Sequence, residues 1–180
     1  MKFKVLLELL KNVTIQSFDK GAILIEINST NKDVFYIRKG LVRCYSVDKE
    51  NNEITFQIYA ENQLFANAHA FLFNDPSKFY FQALEQTKVY YVDYNSFLKL
   101  TSNNMDLFEM NSSFVGKKII QMAFQRVESF VFLSPEERYE KFVKDNPKLI
   151  NRVPDKYIAN VLGITPVSLS RIRKRISIKK

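Results

Sequence analysis

The chain has 180 residues, of which 46% are apolar, and a net charge of +8. This length predicts one large domain or two small ones. The sequence contains no run of 18 or more apolar residues, so no membrane-spanning helix is predicted. The single cysteine, Cys44, excludes an internal disulfide and a cysteine-based metal or iron–sulfur site within one chain.

The first twelve residues, MKFKVLLELLKN, predict an amphipathic helix rather than a signal peptide, because Lys and Glu alternate with Leu and no small-residue cleavage site follows. We therefore expect a cytoplasmic protein. Residues 13–93 are rich in β-branched and aromatic residues. The predicted strands are Ala22–Ile27, Val34–Ile37, Leu41–Val47, Ile54–Tyr59 and Val89–Val92. Short strands about ten residues apart predict an antiparallel sandwich or barrel.

Residues 104–131 predict one long helix with two apolar stripes. One stripe packs on the β domain while the other meets a partner helix, which predicts a homodimer; the alternative is that both stripes pack within one chain. The pattern does not distinguish which stripe forms the dimer, and we take the first as the candidate. The first stripe is Phe108, Val115, Ile119 and Met122, and the second is Ile120, Ala123, Phe124, Val127 and Val131.

A second helix is predicted over residues 135–145, where Ser134 can cap it and Pro135 can occupy its first position. Asn146-Pro147 ends it. The domain junction then lies near residues 131–134. The predicted parts are the β domain (1–103), the long dimerisation helix (104–133) and a C-terminal domain (134–180).

Residues 153–175, VPDKYIANVLGITPVSLSRIRKR, predict two short helices joined by a tight turn at Gly163. Thr165 is a suitable N-cap for the second helix and Pro166 its first residue. Helical spacing places Leu169, Ile172 and Ile176 on one side, with Val167, Ser170, Arg171 and Lys174 opposite. An exposed basic helix held by a short preceding helix is the helix-turn-helix arrangement for the DNA major groove.

The charge is concentrated in this part of the chain. Residues 134–180 carry 12 Lys and Arg against 5 Asp and Glu, whereas residues 1–133 carry 15 against 14. A local excess of this kind is typical of phosphate binding. The alternative is a solvated basic tail.

The order of these elements resembles the Crp/Fnr family of bacterial transcription regulators over nearly the whole chain. IANVLGITPVSLSRIRK resembles the motif of Bacteroidetes-type members, and the Lys20-Gly21 and Lys39-Gly40 turns with the ENQLF segment resemble the family's cyclic-nucleotide-binding β-roll. The resemblance implies an α+β fold: an N-terminal antiparallel, jelly-roll-like β-roll, a long dimerisation helix, and a C-terminal winged-helix-like helix-turn-helix domain.

The resemblance also implies which residues contact DNA. Arg171 matches an arginine that reads a guanine edge, Ser168 matches a phosphate-contacting hydroxyl, and Arg173 and Lys174 match backbone contacts. Other members have a charged pair where this chain has Pro166 and Val167, so we expect a different target sequence. The candidate DNA-binding residues are Pro166, Val167, Ser168, Ser170, Arg171, Arg173 and Lys174.

In the effector pocket that the resemblance implies, the chain departs from the family pattern. Ala66-Asn67 stands where members that bind cyclic nucleotides have Gly-Glu, and Pro76-Ser77-Lys78 stands where they have an arginine. A cyclic phosphate needs a charge and free backbone N–H groups, so we do not expect cyclic AMP as the effector, and the roll binds another small molecule or none. The candidate pocket residues are Phe65, Ala66, Asn67, Ser77 and Lys78.

No catalytic residue, metal site or cofactor is predicted. A cupin-like β-barrel, either an enzyme or a small-molecule-binding protein, is an alternative. A cupin enzyme usually needs two or three histidines and a carboxylate around one metal, and His69 is alone in the sequence. The predicted partners are double-stranded DNA and a second copy of the chain, with RNA polymerase a further candidate and no membrane. The composition is also compatible with an effector-independent DNA-binding protein or a basic RNA-binding protein, although the basic segment 153–175 has Tyr157 as its one aromatic residue for stacking on RNA bases.

Overall fold

Two antiparallel four-stranded sheets pack face to face in the N-terminal half of the molecule. The computed structural model describes residues 12–96, 99 and 105–178, without the side chains of residues 105–115 and 177–178. One sheet has the order β1-β8-β3-β6 and the other β2-β7-β4-β5, which confirms the predicted β-roll. The strands are β1 (Thr14–Phe18), β2 (Ile23–Ile25), β3 (Val34–Lys39), β4 (Val42–Val47), β5 (Glu53–Tyr59), β6 (Leu64–Ala66), β7 (Tyr80–Ala83) and β8 (Thr87–Val92).

The five strands predicted from the sequence are present with small shifts of their ends. Strands β1, β6 and β7 were not predicted. β6 has only three residues, too few to show an alternation of apolar and polar residues in the sequence. β7 lies in a Phe- and Tyr-rich segment whose composition suits a core as well as a strand, and a π-helical turn, His69–Phe73, precedes it.

Stacked aromatic rings fill the space between the sheets. The Phe65 ring lies 5.0 Å from that of Phe35 in the same sheet and 5.5 Å from that of Phe81 in the opposite sheet, measured between centroids. Offset rings at these distances add to the free energy gained by apolar burial. This stack joins the two sheets, and its Phe65 lines the cavity described below.

Four helices follow the roll: α1 (Met105–Phe132), α2 (Pro135–Asp145), α3 (Asp155–Leu162) and α4 (Pro166–Ile178). The predicted caps are confirmed. Ser134 and Glu137 form a reciprocal capping box at α2, and the Ser168 N–H donates to Thr165 Oγ1 at α4 (3.1 Å). Gly163 ends α3 with φ +65°, a left-handed conformation that glycine adopts at no steric cost. The described residues of this part include no strand.

Helix α3 lies on an edge strand of the roll. The side-chain Oδ1 of Asn160 accepts a hydrogen bond from the Thr55 N–H of β5 at 3.1 Å, which satisfies a donor that an edge strand would otherwise leave to solvent. Ile158 of α3 shares one buried cluster with Leu41 and Ile58 of the roll. The helical part therefore has a defined orientation on the β-roll in this structure.

Two arginines extend this contact between the roll and the helices. Arg152, in the segment before α3, pairs with Glu61 and Glu85 in two turns of the roll. Arg43 is buried in the roll, and its guanidinium lies between the rings of Tyr45 and Tyr157 at 3.9 and 4.2 Å. The contacts of Arg152 with Glu61 and Glu85, and of Arg43 with Tyr157, join segments far apart in the chain, so the local sequence pattern did not predict them.

The predicted N-terminal amphipathic helix falls mainly on residues 1–11, which lie outside the described residues. The side chains of Phe108 and Val115, two of the four predicted dimer residues, lie outside them as well. In the part of the chain that the structure describes, no helix is long and apolar enough to cross a membrane.

Candidate nucleic-acid interface and ligand cavity

Helix α4 has a buried side and an exposed, basic side. Leu169 and Ile172 are buried in the cluster that α4 shares with α2 and α3, as their spacing predicted. Their burial fixes the rotation of the helix about its axis, so that the opposite side faces solvent. Pro166, Val167, Ser170, Arg171 and Lys174 are exposed there.

At least two of the seven candidate DNA-binding residues, Ser168 and Arg173, make contacts within the protein. Ser168 is half-buried and its Oγ lies 3.0 Å from Thr165 Oγ1 at the helix start. Arg173 Nη1 donates to both carboxylate oxygens of Asp155 at 2.7 Å, which links α4 to α3. The phosphate contact predicted for Arg173 would compete with this ion pair, so Arg173 is the weakest of the candidates.

The turn between α3 and α4 packs against the long helix α1. A Cβ atom at Gly163 would overlap the Phe130 ring of α1. The guanidinium groups of Arg126 and Arg138 lie over the Phe130 ring, at 5.0 and 4.7 Å from its centroid. Arg138 Nε in turn donates to the Leu162 carbonyl at 3.0 Å. Helix α1 and the turn between α3 and α4 are therefore in direct contact.

We expect Gly163→Ala to lower the free energy of unfolding by about 2 kcal/mol, measured by urea denaturation. The left-handed backbone costs an alanine about 1 kcal/mol, and displacement of the Phe130 ring adds to it. Gly21→Ala is the matched control, because Gly21 also has a positive φ but no atom within 4 Å of the added Cβ. Equal losses in the two variants would show that Phe130 moves aside without cost.

A cavity of about 200 Å³ lies between the β-roll and α1. Its walls are largely apolar, and α1 closes one side where the buried Gly116 lies next to Leu72 of the π-helical turn. The described lining residues are Val34, Phe56, Gln57, Tyr59, Leu64, Phe65, Ala66, Ala68, His69, Phe79, Lys118, Ile119, Met122, Ala123 and Arg126.

The structure places the five predicted effector residues in different environments. Phe65 and Ala66 line the cavity. Asn67 is buried and bonded within its loop: its amide donates to the Ser29 carbonyl at 3.0 Å and accepts from the Ala70 N–H at 3.3 Å.

The other two predicted effector residues lie beyond the cavity's described lining. Ser77 is buried, and its Oγ donates to the Phe79 carbonyl at 2.7 Å. Lys78 is exposed. Asn67 and Ser77 thus shape the loops beside the cavity instead of offering polar groups to it.

Arg126 is the lining residue that sequence reasoning missed. It is half-buried, and its guanidinium lies over the Phe56 ring at 4.5 Å, next to the cavity. Burial lowers the pKa of Arg126 from its ordinary value. The signal available in the sequence was a charged residue in a mainly apolar part of α1, between Phe124 and Val127 with only Gln125 beside it.

His69 and Cys44 are the two residues with possible metal or redox chemistry, and both are packed within the protein as structural residues. The His69 ring packs 5.6 Å from Phe79, and burial lowers the pKa of its imidazole. Cys44 is buried in the roll, where desolvation raises the pKa of its thiol and disfavours the reactive thiolate. Among the described residues, no group of three or more His, Cys, Asp or Glu side chains could hold a metal ion.

The two apolar stripes of α1 have different surroundings. Ile119 and Met122, which were predicted as dimer residues, are half-buried and line the cavity against the roll. Ala123 of the second stripe lines the cavity, whereas its large side chains face solvent with half or more of each exposed: Ile120, Phe124, Val127 and Val131. The second stripe is therefore the one that leaves large apolar side chains exposed on α1.

Residues 15–104 match the family model described as the cyclic nucleotide-binding domain, which covers half of the chain. The chain belongs to the cyclic nucleotide-binding domain family. Its cyclic nucleotide-binding domain comprises the β-roll described above. No curated protein matches the sequence significantly.

Solved structures similar to the whole chain show that the domain is part of a Crp/Fnr-type fold, as expected from the sequence. FixK2 from Bradyrhizobium japonicum has a TM-score of 0.79 at 16% identity, covering 93% of this chain and 85% of that one. A Crp/Fnr-family regulator from Eubacterium rectale has 0.72 at 14%, covering 99% and 85%. The c-di-GMP responsive regulator CLP from Xanthomonas campestris has 0.70 at 11%, covering 98% and 92%.

Proposed function

We propose that this protein is a transcription regulator that binds a near-palindromic DNA operator as a homodimer, under the control of a small effector in the β-roll. The exposed side of α4 carries the proposal. It presents Arg171 and Lys174 to solvent on a helix whose opposite side is buried. Residues 134–180 also hold nearly all of the net charge. The similar solved structures include transcription regulators by description.

The homodimer is supported by the exposed apolar stripe of α1. A row of large apolar side chains that faces solvent in one chain is typical of a helix that packs against a second copy. A two-fold axis along α1 would place the two α4 helices in successive major grooves, so half-sites are expected about one helical turn apart.

Control by an effector is supported by the cavity and its contacts with α1. Met122 and Arg126 of α1 line the cavity, and one turn further along the helix Phe130 packs against the Gly163 turn. A ligand that favours one position of α1 would shift the helix-turn-helix. CLP, of the same fold, is described as c-di-GMP responsive, so the fold is compatible with effectors other than a cyclic mononucleotide.

The proposal is tested by selecting bound sequences from random DNA, with and without a mixture of metabolites. We expect enrichment of an inverted repeat, and a change in enrichment with the mixture if an effector is present. No enrichment over input under either condition would contradict specific DNA binding. An inverted repeat that is insensitive to every metabolite would instead support an effector-independent DNA-binding protein.

Arg171→Ala is expected to weaken binding to the selected operator by about 1–3 kcal/mol and to relax selectivity at one base pair, because a bidentate arginine–guanine contact is lost. Fluorescence anisotropy with single-base operator variants measures both effects. Lys174→Ala is the matched control on the same exposed side. It should weaken all DNA sequences alike and reduce the salt slope by about one. If Arg171→Ala weakened binding to all DNA sequences equally, Arg171 would not be a base-reading residue.

A further inference from the structure

The ionisable lining of the cavity is cationic or neutral. Lys118 and Arg126 of α1 face it, together with His69 and Tyr59 of the roll. Among the described residues that line the cavity, none is Asp or Glu. The electrostatic potential inside the cavity therefore favours an anion.

Arg126 is half-buried and has no anionic partner among the described residues. Its described contacts are with the faces of two rings, Phe56 and Phe130, and no carboxylate among the described residues forms an ion pair with it. Removing a guanidinium from water without an anion is unfavourable, and the pKa of Arg126 is lowered accordingly. A carboxylate can accept two parallel hydrogen bonds from a guanidinium, so a ligand carrying one would offset this cost.

The remaining residues of the cavity wall favour a ligand whose main body is apolar and small. Phe56, Phe65, Phe79 and Met122 contribute aromatic and thioether surfaces. An apolar cavity of about 150 Å³ accommodates benzene, so a volume of about 200 Å³ suits one ring with a short acidic side chain. Asn67, in the loop where a cyclic nucleotide's phosphate would be held, uses its side chain for hydrogen bonds within that loop.

We propose that the cavity binds a small organic carboxylate with a planar or short apolar body, and that its carboxylate pairs with Arg126. Because the same guanidinium lies over Phe130, which contacts the Gly163 turn, a ligand that draws Arg126 into the cavity changes the support of the helix-turn-helix. The ligand class stands on the cavity alone, whereas its effect on DNA binding rests on the proposed function.

The test compares carboxylates with their neutral amides on the full chain. Benzoate, phenylacetate and 3-phenylpropionate are titrated by calorimetry, each against the corresponding amide, with acetate and cyclic AMP as further probes. We expect at least one aromatic acid to bind at least tenfold more tightly than its amide, acetate and cyclic AMP. Arg126→Gln should abolish the preference for acid over amide. Lys117→Gln, which removes an exposed charge of α1 outside the described lining of the cavity, is the control and should retain it.

A conservative variant at Arg126 serves as a control for loss of the fold. Arg126→Lys keeps the charge but not the planar fork, so it should retain a weakened preference for the acid. Equal affinity of acid and amide for all three pairs, no binding of any acid, or tighter binding of cyclic AMP would overturn the ligand class. Operator binding is measured separately by anisotropy. A bound acid that leaves operator affinity unchanged would keep the ligand class and contradict the regulation, and absence of operator binding would contradict only the proposed function.

Discussion

Replacing Phe124 and Val127 together with aspartate is expected to give a monomer whose operator affinity is about 100- to 10,000-fold lower than that of the native protein. Both side chains are more than 60% exposed and lie in the apolar stripe of α1. Buried carboxylates facing each other across a two-fold axis cannot be accommodated, and a monomer loses the effective concentration that joins two half-site contacts. Sedimentation and anisotropy on full and half operators measure the two effects.

The control for this pair is Gln121→Asp, which places a carboxylate on the same helix at an exposed position outside the stripe. It should leave the oligomeric state unchanged. In the monomer, affinity for a half-site should be close to that of the native chain, because α4 is not altered. A double variant that sediments as a dimer would place the interface elsewhere, and the first stripe with Phe108 and Val115 would then be the next candidate.

Arg152→Met is expected to lower the free energy of unfolding by about 3 kcal/mol at neutral pH, because it leaves Glu61 and Glu85 without their shared cation between the roll and the helices. The Glu61 carboxylate accepts two hydrogen bonds from Arg152, at 2.7 and 3.0 Å, and one from the Gly40 N–H at 3.0 Å. Urea denaturation measures the loss. The exposed ion pair of Lys141 with Asp145 is the matched control, and Asp145→Asn should cost less than about 0.5 kcal/mol.

The same cluster predicts a dependence on pH. Hydrogen bonds from Arg152 lower the pKa of Glu61 from 4.5 to about 2. Because the pKa is lower in the folded state, the carboxylate's contribution to stability is complete above about pH 5 and is lost as the pH falls towards 2. We expect Glu61→Gln to cost about 2–3 kcal/mol at pH 7 and almost nothing near pH 2. A pH-independent difference between Glu61→Gln and the native protein would contradict the ionic origin.

The helix ends show what local sequence can predict. The Ser134–Glu137 capping box, the Thr165 cap and the left-handed Gly163 each depend on residues within three positions of one another. Hydrogen bonds of this kind form between neighbouring residues and do not depend on distant segments of the chain. The local sequence pattern is therefore sufficient to predict them. The exposed and buried sides of α4 followed in the same way from helical spacing.

The candidate effector residues show where that reasoning ended. Asn67 and Ser77 were predicted from their alignment with a family loop, yet their side chains are used within the roll by Ser29, Ala70 and Phe79. A polar side chain near a cavity can bond to the ligand or to its own backbone, and the sequence is the same in both cases. The choice depends on loop geometry, which the packing of both sheets determines.

The amino-acid sequence by itself determined five of the described strands, the order of the helices and the exposed basic side of α4, because turn residues, caps and periodicity act over a few positions. Only the tertiary structure decided that Arg126 faces a cavity, that Arg173 pairs with Asp155, and which stripe of α1 is exposed. The physical reason is that burial and charge pairing depend on segments distant in the chain, and their positions are known only once the chain has folded.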